Sequence, residues 1–128
     1  WIHRIDNSIN YTELPSYYHF AKVCVSASWF ETTGLTSLEA LYCGTNTVAS
    51  GLRAKEYLGG YASFCQPDDI DSIKDAIKKE YEAPRPVLDE KIRKDYTWKN
   101  ASEKTLEVYK KVIKKRSENL LEKNSKKR

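Results

Sequence analysis

Short β-branched and apolar runs alternate with longer stretches of helical periodicity along this 128-residue sequence. Four runs have the length and composition of buried strands: residues 1–5, 22–28, 47–50 and 61–65. Between and after these runs, apolar side chains recur three or four residues apart, as they do in amphipathic helices. Strands that alternate with helices form βαβ units, in which a parallel sheet lies between helical layers. The sequence therefore predicts an α/β protein.

The same periodicity predicts five helices and their ends. They cover residues 11–21, a segment that begins near Gly34 and ends before Gly44, and residues 53–58, 70–81 and 87–121, the last interrupted near residues 96–98. Glycine at position 44 suits a left-handed C-cap. Either Asp68 or Asp69 can cap the helix that follows. Two apolar stripes are expected to face inward: Ile70, Ile73, Ala76, Ile77 and Tyr81, and then Leu106, Tyr109 and Ile113.

The positive charge is concentrated at the carboxyl end of the chain. The net charge is +4, but residues 110–128 hold nine lysines and arginines against two glutamates, so the remainder is net negative. A negative body argues against nucleic acid as a partner. We interpret residues 1–113 as the folded domain and residues 114–128 as a basic tail, helical or disordered. A frayed helix end is the simpler interpretation of this tail, and peripheral contact with the anionic inner face of a membrane is the alternative.

Several kinds of site find no support in the motifs. Cys24, Cys43 and Cys65 lie far apart without a CxxC pair, so we expect reduced core cysteines and no metal. Neither a GxGxxG fingerprint nor a P-loop is present. No apolar run approaches the roughly 18 residues that span a bilayer, and the first thirty residues do not form a secretory signal. Cytoplasmic localisation is therefore expected.

Two glutamates flank a predicted coil-to-helix junction. Glu31 precedes the helix that begins near Gly34, and Glu39 lies in its second turn, so both can edge one crevice beyond the strands. Free N–H groups and the helix dipole at this junction attract an anion such as a diphosphate, and carboxylates accept hydrogen bonds from hydroxyls. Glycine at position 34 allows a ligand close approach and tolerates a positive φ. Together these groups suit a nucleotide sugar, although two solvated glutamates are the simpler interpretation of the spacing alone.

A longer pattern surrounds these glutamates. Residues 27–35 read ASWFETTGL, and they continue with LEAL at 38–41 and TVAS at 47–50. This stretch resembles the Glu-x7-Glu signature of the family 4 (group 1) retaining glycosyltransferases. The frame around it is similar as well: LPSYY before the strand at 22–28, Glu56-Tyr57, Pro67-Asp68, and Tyr96-Thr97-Trp98. The resemblance covers residues 1 to 113 and implies a Rossmann-like parallel sheet with flanking helices.

The resemblance implies how such an enzyme holds its donor. These enzymes transfer a hexosyl group from a nucleoside diphosphate sugar with retention of configuration, usually without a metal. By position, Glu31 is the catalytic glutamate that contacts hexose hydroxyls, and Glu39 holds the ribose hydroxyls. The sugar and the diphosphate are expected to lie on main-chain amides around four residues: Thr33, Gly34, Leu35 and Thr36. Fixed dipoles at a helix terminus stabilise a departing diphosphate without reorganisation.

The resemblance also implies parts that the chain does not match. Enzymes of this B type have two Rossmann-like domains, with the acceptor side in the first domain and an Arg/Lys pair for the phosphates early in the second. We therefore expect an N-terminally truncated fragment of the C-terminal, donor-binding domain, inactive without the missing N-terminal domain. Its glycan or lipid-linked acceptor is unknown. Three positions depart from the pattern, because the family commonly has proline at Ala27 and Asn46 and an aromatic residue at Thr33.

Other interpretations remain open from the sequence. A non-catalytic nucleotide-sugar-binding or protein-interaction module is the main alternative, and the presence of both glutamates favours the enzyme. A flavodoxin-like signalling domain would use Asp68-Asp69 as an acidic pocket, but helix capping explains that pair better. The aromatic residues Tyr42, Tyr57 and Trp98 can stack on a base, although core packing is favoured. We assign both histidines, His3 and His19, to structure.

Overall fold

The computed structural model describes residue 2 and residues 4–125, apart from the side chains of Leu52 and residues 120–125. The chain divides into two compact units, Trp1–Leu88 and Asp89–Arg128.

The first unit is a three-stranded parallel sheet with flanking helices. Its elements in chain order are α1 (Leu14–Phe20), β1 (Val23–Ser26), α2 (Leu35–Tyr42), β2 (Asn46–Ser50), α3 (Leu52–Leu58), a 3-10 turn (Gly59–Tyr61), β3 (Ala62–Cys65) and α4 (Ile70–Glu82). The strands are ordered β1-β2-β3, and both neighbouring pairs are parallel. This arrangement confirms the predicted α/β class with a Rossmann-like sheet.

The second unit contains two helices, α5 (Glu90–Asp95) and α6 (Trp98–Ser125). The break between them confirms the interruption predicted near residues 96–98. Helix α6 continues without a break past residue 113, so the described part of the predicted tail is helical, and residues 126–128 lie outside the described part. The assignment of residues 1–113 to a domain and of 114–128 to a tail stays a prediction. No helix within the described residues is long and apolar enough to cross a membrane.

The core of the first unit lies around the central strand. All five residues of β2 are buried. Val48 packs with Cys65 and Ala76, and Ile73 and Ile77 of α4 cover this cluster. Burial of the Val48 side chain stabilises the fold by about 1.5–3 kcal/mol. The buried polar residues of the same strand are held by hydrogen bonds, as Asn46 is to the carbonyls of Glu80 and Ala83.

Local chemistry fixes several element ends as the sequence predicts. Asp69, and not Asp68, caps α4, because its Oδ1 accepts hydrogen bonds from the N–H groups of Asp71 and Ser72 at 3.0 and 3.1 Å. Gly44 follows α2 with a φ of 79°, as a left-handed C-cap requires. The cysteines are free, with Cys65 buried and the other two half-buried.

The predicted strand at residues 1–5 is not found. Ile2, Arg4 and Ile5 are outside any strand, and Trp1 and His3 lie outside the described residues. The composition of this segment is that of a strand, but a stable strand also needs a partner strand to pair with.

The predicted apolar stripe of α4 is partly wrong, and that of α6 is wrong throughout. On α4, Ile70 is 82% and Tyr81 61% exposed. The 13-residue helix is about 20 Å long and crosses strands of four or five residues, about 13–17 Å, so its two ends extend beyond the sheet. On α6, the residues predicted to face inward are all exposed: Leu106, Tyr109 and Ile113. Within their own unit the six-residue α5 is too short to cover a 28-residue helix.

Candidate functional site

The carboxyl end of β1 holds the side chain of Glu31. The hydroxyls of Ser26 and Ser28 both donate to its Oε1, each at 2.9 Å. Glu31 is half-buried, and no described residue bonds its Oε2. A carboxylate oxygen has two lone pairs, so these bonds saturate Oε1 and leave Oε2 as the acceptor.

A third serine supports this arrangement from the neighbouring strand. Ser50, the last residue of β2, is 1% exposed. Its hydroxyl donates to the main-chain carbonyl of Ser28 and lies 3.3 Å from that of Ser26. The segment that carries Glu31 is therefore tied to the buried central strand.

Glu39 has a different set of partners. Its Oε2 accepts a hydrogen bond from the hydroxyl of Tyr18, on α1, at 3.1 Å. Burial, and then the hydrogen bond and negative charge of Glu39, raise the pKa of Tyr18 to about 12, while a hydrogen bond with the Thr36 side chain acts in the opposite direction. Thr36 and Glu39 thus meet at one tyrosine hydroxyl, and Glu31 is not part of this group.

A cavity of about 170 Å³ lies beside Glu39. Its walls are mostly apolar and come from α1 and the residue Tyr11 before it, and from the C-terminal end of α2: Tyr11, Leu14, Pro15, Tyr18, Tyr42 and Cys43. Glu39 is the one carboxylate among these lining residues. A ring with one polar edge fits such a cavity, because the walls bury its faces and Glu39 accepts from its hydroxyls or N–H groups.

The N-terminus of α2 is partly occupied by the protein itself. The N–H of Gly34 donates to the hydroxyl of Tyr57 at 2.9 Å, and the N–H of Leu35 donates to the carbonyl of Thr33 at 2.7 Å. Among the described residues, the N–H of Thr36 has no partner. Of the amides expected to hold an anion, two are therefore engaged within the chain.

The reason for glycine at position 34 differs from the prediction. Its φ is −68°, so no positive φ is required. A Cβ at this position would lie 2.4 Å from the hydroxyl oxygen of Tyr57. Glycine permits close approach, as predicted, but here the approaching group is a tyrosine of the same chain.

No sequence pattern indicated the groups that bond the two glutamates and the N–H of Gly34. Ser26, Ser28 and Ser50 lie in strand-like runs, where their polarity was the only signal. Tyr18 and Tyr57 lie 21 and 23 residues from the groups they contact, and no short-range pattern connects such positions.

The other candidate residues do not all lie at this site. Trp98 is 92% exposed, so the interpretation that it packs in the core is wrong. Tyr42 is exposed at the edge of the cavity beside Glu39, and the Nδ1 of His19 lies 3.3 Å from the carbonyl oxygen of Cys43. Within residues 2 and 4–125, no group of three or more histidine, cysteine, aspartate or glutamate side chains forms a metal site.

Comparison with known proteins finds similarity to curated glycosyl-transferring enzymes, of which two are described here. The chain is 29% identical over 107 residues to the O-antigen chain mannosyltransferase B of Escherichia coli, covering 77% of this chain and 27% of the relative. It is 27% identical over 115 residues to a glycogen synthase of Mycobacterium tuberculosis, covering 83% of this chain and 28% of the relative. The chain thus spans about a quarter of the length of these curated relatives. No solved structure matches it significantly.

A family profile matches most of the first unit. The profile described as "Glycosyl transferases group 1" covers residues 4–82, which include β1 to β3, both glutamates and the junction between them. The parallel sheet with flanking helices is consistent with the C-terminal domain of a two-domain glycosyltransferase of B type. The chain therefore belongs to the group 1 glycosyl transferases.

Proposed function

We propose that this chain supplies the donor half-site of a glycosyltransferase. The whole protein transfers a hexosyl group from a nucleoside diphosphate sugar to a glycan or lipid-linked acceptor, with retention of configuration. Membership of the group 1 family supports glycosyl transfer, and the relatives named a mannosyltransferase and a glycogen synthase both support a hexosyl donor. The acceptor side lies in a further domain of the whole enzyme.

The observation that carries the proposal is the position of Glu39 beside a mostly apolar cavity. The nucleobase lies in this cavity against Tyr11 and Tyr42, and the ribose hydroxyls donate to the carboxylate of Glu39. Aromatic walls bury the faces of a base, and a carboxylate is a strong acceptor for hydroxyls. Tyr18 shares Glu39 with the ribose, because a carboxylate has lone pairs for both.

The sugar and the diphosphate lie toward the N-terminus of α2. The hexose hydroxyls donate to the Oε2 of Glu31, and the diphosphate lies on the N–H of Thr36 and on the positive end of the helix dipole. A donor that also uses the N–H of Gly34 displaces the hydroxyl of Tyr57. Negative charge that develops on the leaving diphosphate is stabilised by these fixed dipoles, and this chemistry requires no metal.

Calorimetric titration of the chain with nucleoside diphosphates and their hexose conjugates tests the proposal. The probes are GDP and GDP-mannose, ADP and ADP-glucose, and UDP and UDP-glucose. Glu39→Ala is expected to weaken binding of the nucleotide that binds wild type, by about tenfold for one charge-assisted hydrogen-bond pair. Glu31→Ala is expected to leave nucleotide affinity unchanged and to remove the additional affinity that the hexose supplies.

The matched control is Glu13→Ala. Glu13 is an exposed glutamate at the start of α1 whose side chain makes no capping hydrogen bond. Its removal changes the charge as the other variants do, but it is expected to leave both affinities unchanged. Equal affinities in wild type, Glu31→Ala and Glu39→Ala would contradict the assignment of the site.

A non-catalytic binding module is the second candidate, and one observation favours it. Two N–H groups at the start of α2 already have partners within the chain. Such a module holds a nucleotide sugar, or a partner protein, without transferring anything, so binding of a nucleotide sugar by the whole protein without release of its nucleoside diphosphate would identify it.

A further inference from the structure

We propose that Ser26 and Ser28 are positioning residues that hold the carboxylate of Glu31 in one orientation toward the donor sugar, with Ser50 locking both serines to the sheet. This inference rests on the proposed function of Glu31 as the acceptor for hexose hydroxyls. It adds three residues that neither the sequence pattern nor the relatives assign.

The first support is the geometry of the two bonds. Both serine hydroxyls donate to the same oxygen, Oε1, at 2.9 Å. A glutamate in a loop otherwise samples several rotamers, and ordering it on binding costs affinity. Two bonds to one oxygen fix the plane of the carboxylate and direct the lone pairs of Oε2 away from the serines. The ordering cost is therefore met during folding and not during binding.

The second support is the connection of this pair to the core. The hydroxyl of the buried Ser50 donates to the carbonyl of Ser28 and lies near that of Ser26. β1 and β2 are paired up to Ser26 and Ala49, so Ser50 extends the contact one residue beyond the ladder. The segment between β1 and Glu31 contains Ala27 and therefore lacks the fixed φ that a proline would give it. The serine hydroxyl bonds provide rigidity that the backbone of this segment does not supply.

The arrangement makes a specific prediction about binding. Removal of either hydroxyl frees the carboxylate of Glu31 to rotate and weakens only the interaction with the hexose. The nucleotide binds at Glu39, which shares no partner with Glu31, so its affinity does not depend on the serines. The ratio of nucleotide-sugar affinity to nucleotide affinity is thus the quantity that a positioning role changes and a general loss of stability does not.

The test uses the full chain and the nucleotide pairs named above in calorimetric titrations. Ser26→Ala and Ser28→Ala are each expected to lower the affinity ratio three- to tenfold, and the double variant to abolish the additional affinity of the hexose conjugate. Ser26→Thr keeps a hydroxyl at a strand position, where β-branched residues are accommodated. Its ratio of nucleotide-sugar affinity to nucleotide affinity is therefore expected to be at least half that of wild type.

Ser63→Ala is the matched control. The hydroxyl of Ser63 donates to Oε1 of Glu80 at 2.6 Å, so this variant removes a serine–glutamate hydrogen bond of the same kind between β3 and α4. It is expected to lower stability, measured by urea unfolding, without changing the ratio. Circular dichroism verifies that each variant is folded before titration, and Ser28→Cys, which also removes the hydroxyl, replaces Ser28→Ala if the alanine variant does not fold.

The outcomes separate this inference from the proposed function. A hexose-dependent affinity in wild type that both alanine variants retain would overturn the positioning role and leave the donor site intact. A wild-type chain that binds none of the nucleotides or their conjugates would overturn both. A ratio that falls in the serine variants, recovers in Ser26→Thr and is unchanged in Ser63→Ala would support the inference.

Discussion

A contact between Gly34 and Tyr57 explains why glycine is needed at the start of α2, and this explanation can be tested by a double-mutant cycle. A methyl group at position 34 would lie 2.4 Å from the hydroxyl oxygen of Tyr57, far inside contact distance, but 3.5 Å from the ring carbon that bears this hydroxyl. Gly34→Ala therefore expels the hydroxyl from the N–H of Gly34. In Tyr57→Phe the hydroxyl is absent, and the methyl group makes an ordinary van der Waals contact with the ring.

Three contributions determine the cost of Gly34→Ala. Loss of the hydrogen bond to the hydroxyl of Tyr57 costs about 0.5–1.5 kcal/mol. Alanine is also a poorer N-cap than glycine, whereas the lower entropy of its unfolded chain returns about 0.4–1 kcal/mol. The last two contributions are the same with Tyr57 and with phenylalanine, so they cancel in the cycle. Gly34→Ala is therefore expected to cost about 1 kcal/mol more in wild type than in Tyr57→Phe.

Urea unfolding followed by circular dichroism measures the free energy of unfolding for the four members of the cycle. Gly60→Ala is the control, because a Cβ at position 60 meets no atom within 4 Å and the φ of Gly60 is not positive. Its effect is expected to be the same with and without the Tyr57 hydroxyl. If Gly34→Ala also costs the same in both backgrounds, within about 0.3 kcal/mol, the contact with Tyr57 is not the reason for the glycine.

Three further predictions concern single contacts. The neutral Tyr18 hydroxyl stabilises the fold fully below about pH 10, and this stabilisation is lost as the pH rises through the raised pKa of about 12. The difference in absorbance at 295 nm between wild type and Tyr18→Phe, followed as a function of pH, measures this pKa. Glu39→Gln removes the neighbouring negative charge and is expected to lower the pKa of Tyr18. Asp69→Ala is expected to lower the free energy of unfolding by about 0.5–2 kcal/mol, and Asp68→Ala to leave it unchanged, as measured in urea. Asn46→Ala is expected to lower the free energy of unfolding by about 1–2 kcal/mol in the same assay, because the Asn46 amide donates to two main-chain carbonyls at the end of α4. Asn46→Asp is expected to lower it further, since a carboxylate repels both carbonyl oxygens.

The features that the sequence predicted depend on bonds within a few residues. Asp69 caps α4 through N–H groups two and three positions along the chain, and Gly44 ends α2 by its own backbone conformation. The strands predicted at 22–28 and 61–65 are found in shorter form as β1 and β3, and the strand predicted at 47–50 begins one residue earlier as β2. Buried parallel strands are typically rich in apolar and β-branched residues, which is the signal that the prediction used. The assignment of Glu31 and Glu39 to donor binding stays a prediction.

The features that the sequence did not predict depend on contacts far apart in the chain. Periodicity indicates which face of α4 is apolar, but not how much sheet lies beneath it, so Ile70 and Tyr81 were wrongly placed inside. Asn46 departs from the proline pattern of its family, and the structure supplies a reason in its bonds to the carbonyls of Glu80 and Ala83, 34 and 37 residues away.

The predicted donor-binding groups share one property that bears on affinity. The Oε1 of Glu31, the Oε2 of Glu39 and the N–H of Gly34 each bond a hydroxyl of the chain itself, from serines in the first case and from Tyr18 and Tyr57 in the others. A phosphate oxygen that takes the place of the Tyr57 hydroxyl at the N–H of Gly34 exchanges one hydrogen bond for another and gains only the difference. At Glu31 the two serines stay bonded to Oε1, and the proposed donor bonds the other oxygen, Oε2, so no existing hydrogen bond is lost. In the proposed site, the hexose would therefore meet a prepared acceptor at Glu31, whereas the start of α2 would have to release Tyr57 before the N–H of Gly34 contributes to binding.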